Sequence, residues 1–158
     1  MTLIEVVGVL IIIGVLMLVV GNSVSRNVKR GNRESVVSEL ELYATSIADA
    51  YYDLGSPDFD PTSQQDEFER YLTIIEKDYL TVEFDHTTIA PTTKGFTVEI
   101  ASPIDIYEKR YKCWFVTTSD VMKYVMVASG GENGIIESEG YDAGDYKDDI
   151  VMIVRPKL

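Results

Sequence analysis

The chain has 158 residues, 46% of them hydrophobic and 25% charged, with a formal net charge of −12 at pH 7; that is long enough for one modest core and acidic enough to disfavour a nucleic-acid partner. One cysteine, Cys113, excludes an internal disulfide, and one histidine, His86, excludes a multi-histidine metal site. Neither a GxGxxG pattern nor a glycine loop leading to Lys is present, the carboxylates are too numerous to single out an acid and a base, and no enzymatic activity is expected.

Met1 to Val20 is an almost unbroken apolar run whose single charge is Glu5. At about 1.5 Å per residue a helix of this length reaches roughly 30 Å, the thickness of a bilayer's hydrocarbon core. A carboxylate inside such a segment costs roughly 2.5 to 3.5 kcal/mol on insertion scales, so Glu5 calls for a functional partner. A secretory signal peptide has a basic start, a shorter apolar core and a small-residue cleavage site, which Thr2 and Glu5 fit poorly. A simple anchor accounts for the apolar run and leaves Glu5 unexplained. No Lys or Arg precedes Arg26, so the positive-inside rule does not set the topology.

The motif Met1-Thr2-Leu3-Ile4-Glu5-Val6, with the apolar run behind it, resembles the mature N-terminus of the type IV pilin and type II pseudopilin superfamily. The resemblance implies cleavage of a basic leader before Met1 by a prepilin peptidase and methylation of the new terminal amine. It further implies that Glu5 of an incoming subunit pairs with the Met1 amine of a neighbour already in a filament. Opposite charges attract far more strongly in an apolar medium than in water, and such a pair acts chiefly as a register device. The implied fold is α+β, the pilin fold, with the C-terminal half of a long N-terminal helix packed on an antiparallel sheet. The implied function is that of the major structural subunit of a type IV pilus-like filament, a homopolymer served by an assembly platform and a cytoplasmic ATPase. Relatives at a filament tip often lack the glutamate, so Glu5 favours a body subunit. The subunit would reside in the inner or cytoplasmic membrane before assembly and in an extracellular filament, or a periplasmic pseudopilus, afterwards. One alternative is the major pseudopilin of a type II secretion system. Outside the family, the alternative is a membrane-anchored, calcium-binding extracytoplasmic module.

Residues 1–24 are thus expected to form the transmembrane or filament-core helix and residues 25–55 its amphipathic continuation. Val36, Leu40, Ala44, Ile47 and Tyr51 recur at helical spacing, and Glu34, Ser38, Glu41, Thr45 and Asp49 trace the opposite face. Gly55 and Pro57 mark the helix end. Gly14 and Gly21 weaken the helix, each by up to about 1 kcal/mol against Ala, so local melting between them is expected. Many relatives carry Pro where this chain has Asn22. Met1 to Arg33 holds four basic residues and one acid, or +3, whereas Glu34 to Leu158 holds ten and twenty-five, or −15. Arg26, Lys29, Arg30 and Arg33 share one helical face, suited either to the acidic heads of adjacent subunits or to anionic lipid before assembly. The acidic head also has a plain reading as a solubility device.

Residues 56–158 read as one globular α/β head. Ser56 to Gln65 is loop-like, and Thr62 with Gln65 is expected to cap a short helix carrying Phe68, Leu72 and Ile75. Strands are expected at Leu80 to Phe84, Phe96 to Ile100, Ile104 to Thr117, Val121 to Ala128 and Ile150 to Val154, with turns at Pro91 to Gly95, Ser102-Pro103 and Thr118 to Asp120. Short connections imply an antiparallel meander packed on the helix. His86 falls in the turn after the first of these strands, as a surface residue. Cys113 reads as a buried structural thiol. The ten tyrosines are ordinary strand and interface residues.

The segment 129–150 is glycine-rich and acidic. It resembles the C-terminal loop of the major type II pseudopilins, where a glycine-rich segment ends in an Asp pair followed by Ile and holds calcium. The resemblance implies Asp142, Asp148 and Asp149 as calcium ligands, with Asp145 a weaker candidate. Calcium takes six to eight oxygens at about 2.3 to 2.6 Å, which a flexible acidic loop can supply. The same residues suit a solvated turn equally well.

Overall fold

A computed structural model describes residues 2–80, 82–117, 123–136 and 148–155. The chain divides into two units, one up to Glu34 and one from Ser35 onward. Helix α1, Leu3–Asp53, belongs to both. It runs unbroken through Gly14 and Gly21, so the expected local melting is not seen; i→i−4 bonding continues through both glycines.

In the second unit, α1 buries Val36, Leu40, Ala44, Ile47 and Tyr51 completely, while Glu34, Ser38, Glu41, Thr45 and Asp49 stay exposed. The helix ends where Gly55 takes φ +90°, a conformation that only glycine adopts without strain, and the Ser56 N–H donates to the Tyr51 carbonyl at 3.1 Å. Helix α2, Gln65–Asp78, packs on the same core through Phe68, Tyr71, Leu72 and Ile75. Its start departs from expectation. Gln64 occupies the cap position with no side-chain cap bond. Thr62 instead donates its N–H and hydroxyl to Asp60, whose carboxylate also accepts from Ser63 and is held below the usual range by these bonds.

The sheet is an antiparallel meander in the order β1 (Glu83–Pro91), β2 (Gly95–Ser102), β3 (Lys112–Val116), β4 (Tyr124–Ser129) and β5 (Ile150–Val154). With the helix resting on it, this is the expected α+β arrangement. Alternation sorts the strands cleanly. Phe96, Val98, Ile100, Cys113, Phe115, Val125 and Val127 turn to the helices. Trp114, Val116, Met126 and Ala128 form a second buried cluster, with Val151, Ile153 and Ile136 against it. Aromatic rings fill the first cluster: Phe68 stacks on Phe96 with centroids 4.6 Å apart, and Tyr51 and Phe68 each meet Phe115 edge-on.

Two strand assignments are corrected. β1 begins at Glu83 and continues to Pro91, so His86 lies within a strand, half-buried, and not in a turn. The expected strand Ile104 to Thr117 is strand only from Lys112 to Val116. The preceding residues form a loop because the Asp105 carboxylate accepts the N–H groups of Tyr107 and Lys109, and because Glu108 takes φ +60°. The expected starting residue of the fourth strand, Val121, and the turn at Thr118 to Asp120 lie outside the described residues.

Candidate functional site

The apolar segment of α1 carries the features that the sequence singles out. Every large hydrophobic side chain from Leu3 to Val20 is exposed, Leu3 at 83% and Ile4 at 80%. By length and composition α1 is able to cross a membrane, near the N-terminus, with none of its most apolar window buried. Such a helix is compatible with an anchor or a signal sequence, and in either case it leaves a surface that water does not stabilise.

Glu5 stands in the first turn of that helix. Its carboxylate accepts the Thr2 N–H at 2.8 Å, while the Thr2 carbonyl accepts the N–H groups of Glu5 and Val6 at 3.1 and 3.3 Å. Thr2 and Glu5 therefore make the glutamate half of a capping box, and a negative charge at a helix N-terminus also opposes the positive end of the macrodipole. Read as a lone acid, Glu5 conceals this; the Thr-x-x-Glu spacing of Thr2 and Glu5 was the signal. Met1, the other expected member of the assembly pair, lies outside the described residues.

Arg26, Lys29, Arg30 and Arg33 are all exposed on α1. Arg30 donates from Nε to Glu34 at 2.8 Å, a pair so exposed (80% and 66%) that it adds little stability.

At the other end of the sequence, β4 and β5 pair Ser129 with Ile150, so the acidic loop leaves and re-enters the sheet at neighbouring positions. Asp148 accepts the Asn133 N–H on Oδ2 at 3.0 Å, and Asp149 is 4% exposed. Asp142 and Asp145 lie outside the described residues. Gly131, at φ +60°, approaches so closely that a Cβ there would stand 2.3 Å from the Asp148 carbonyl oxygen. Asp105, which the sequence did not single out, joins this corner from the β2–β3 loop. It is 3% exposed, and its Oδ2 accepts from the Ser129 hydroxyl at 2.6 Å while the Gly131 N–H donates to Ser129. Among the described residues no three His, Cys, Asp or Glu side chains converge as a metal site. Asp148 and Asp149 alone fall short of the six to eight oxygens that calcium takes.

His86 links β1 to α2. Its Nε2 lies 2.9 Å from Glu76 Oε2 and its Nδ1 lies 3.8 Å from Glu69, and Glu76 also accepts the Phe84 N–H. A groove of about 720 Å³ opens beside it, lined by Thr73, Lys77, Leu80 and Val82 among others. Cys113 is fully buried, and burial pushes its thiol well above the ordinary value, which makes it inert at neutral pH.

Comparison with family models, with curated proteins and with solved structures gives no match for this chain.

Proposed function

We propose that the chain is a non-enzymatic structural subunit, anchored in a membrane by the first half of α1 and assembled into a type IV pilin-like filament by packing that helix against copies of itself. The observation that carries this reading is an apolar helix, exposed from Leu3 to Val20, with a carboxylate in its first turn. Packing of neighbouring helices would cover the exposed surface. Glu5 would then exchange its Thr2 N–H for, or share it with, the terminal amine of a neighbour, fixing one axial offset. The acidic heads would face outward, and the basic face of Arg26, Lys29, Arg30 and Arg33 would meet acidic groups of adjacent subunits or anionic lipid.

The test is shear release from expressing cells, followed by electron microscopy and N-terminal mass spectrometry. Filaments of this chain starting at a methylated Met1 are expected, and Glu5→Ala should abolish them while membrane insertion persists. Normal filaments from Glu5→Ala would overturn the pairing. Filaments confined to the periplasm would favour the pseudopilin of a type II secretion system.

The Thr2–Glu5 cap supports a second reading, a monomeric anchored extracytoplasmic module, because it gives Glu5 a task within one chain. Calcium belongs to this reading and to the pseudopilin alike, with Asp148 and Asp149 at the base of the loop. Added calcium should raise the melting temperature of the intact chain and fail to do so in Asp148→Ala; no shift in either removes the metal.

A further inference from the structure

We propose that Asn133 is a conditional deamidation site, withheld from reaction while the corner that follows β4 is folded and released when that corner opens.

Asn133 is exposed, and of the four asparagines in the chain it alone is followed by glycine. Gly134 has no Cβ to shield its amide nitrogen. In such a pair the Gly134 nitrogen attacks Cγ of Asn133. An N–C bond forms, ammonia leaves, the amide proton departs with it by way of solvent, and a five-membered succinimide results. Water then opens the ring at either carbonyl, giving aspartate or isoaspartate. One water is consumed and one ammonia released, with no oxidant or reductant.

The structure prepares the electrophile and withholds the nucleophile. The Ile135 N–H donates to Asn133 Oδ1 at 2.7 Å, which polarises the side-chain carbonyl. The Gly134 N–H is engaged inside the turn, donating to the Gly130 carbonyl at 3.1 Å and to the Gly131 carbonyl at 3.3 Å. The turn is tied down on several sides. The Asn133 N–H donates to Asp148 Oδ2, and the Gly131 N–H donates to the Ser129 hydroxyl, which itself donates to the buried Asp105. Packing is close as well: a Cβ on Gly130 would stand 2.8 Å from the Gly134 carbonyl carbon, and one on Gly134 would stand 2.6 Å from the Lys109 side chain. Freeing the Gly134 nitrogen therefore means opening contacts to the β2–β3 loop and to Asp148 together.

The change runs one way. A carboxylate formed at position 133 adds a negative charge next to Glu132 in a chain already at −12. The isoaspartyl form also lengthens the main chain by one carbon, which spoils the bond from Gly134 to Gly130.

Full-length chain in detergent and a synthetic peptide of Ser129 to Ile136 would be aged side by side at neutral pH, with deamidation and isoaspartate at Asn133 read by peptide mapping and mass spectrometry. Reaction proceeds through the fraction of molecules in which the corner is open, so the full chain is expected to react at least about tenfold more slowly than the peptide. Ser129→Ala, which removes the link between Gly131 and Asp105, should bring the rate toward that of the peptide. Equal rates in chain and peptide overturn the proposal, and so does a Ser129→Ala chain as slow as the original. Hydrogen exchange of the Gly134 amide in the unaltered chain tests the gate without any variant: protection is expected, and exchange at the peptide's rate means that the nitrogen is not held.

Discussion

Tyr111 donates its phenolic proton to the Glu39 carboxylate across 2.5 Å, joining the start of β3 to the middle of α1 over 72 positions of sequence. The Tyr111 ring also meets Tyr43 edge-on at 5.5 Å. The hydrogen bond and the ring contact fix both the rotation of α1 and its axial position on the sheet. A hydrogen bond to a charged group contributes about 1.5 to 3 kcal/mol, and Glu39 is only half-buried and can recover water. Tyr111→Phe should therefore lower stability by about 1 to 2 kcal/mol in chemical denaturation. A double-mutant cycle with Glu39→Ala should show coupling, and strict additivity would mean that the bond is not made in solution.

Alkaline pH should unfold the second unit. Burial is the first cause raising the phenols of Tyr51, Tyr71 and Tyr111, and it lifts Tyr52 to about 12, with Asp49 adding to the effect. These groups are neutral when protonated and hold the proton more tightly folded than unfolded. Their contribution is intact below the ordinary tyrosine value of 10.0 and is lost as pH rises toward the folded values. Stability should hold at pH 8 to 9 and fall from about pH 10, with tyrosinate absorbance appearing together with loss of structure. Titration at ordinary values in a folded chain would contradict the burial.

Cys113 should resist iodoacetamide at neutral pH until the chain is unfolded. Mass spectrometry of native and guanidinium-treated protein reads this directly; rapid native alkylation would place the thiol outside the core.

Gly131→Ala should be destabilising by more than 1 kcal/mol, because both the positive φ and the Asp148 carbonyl oppose a side chain there. Gly31 on α1 has open space around it, and Gly31→Ala should raise helix content without strain, favouring the helix by up to about 1 kcal/mol. Thermal denaturation of the first variant and circular dichroism of the second give opposite signs.

Much of the fold was legible because its signals are local. The buried stripe Val36, Leu40, Ala44, Ile47 and Tyr51 follows from helical period alone, and Phe96 to Ile100 and Ile150 to Val154 from β-branched and aromatic runs. The errors arise where a distant partner decides. Ile104 to Tyr111 has strand-forming residues, yet Asp105 turns the backbone by bonds that depend on Ser129, 24 positions away. His86 reads as a surface residue because Glu76 and Glu69 reach it from another element. At the candidate site, the exposed apolar run and Glu5 were visible from composition. The Thr2–Glu5 cap was visible too, but the rarity of an acid in such a segment directed attention to an intermolecular partner.

Tyr52 at the end of α1 donates to the carbonyl of Val154, the last residue of β5, at 2.9 Å. The two residues are separated by 102 positions of sequence. The apolar face of Val36 to Tyr51 must wait for Ile150 and its neighbours before it is covered. Closing this unit therefore waits on a contact between distant parts of the sequence, and until it forms α1 carries an uncovered hydrophobic face beside its exposed apolar segment.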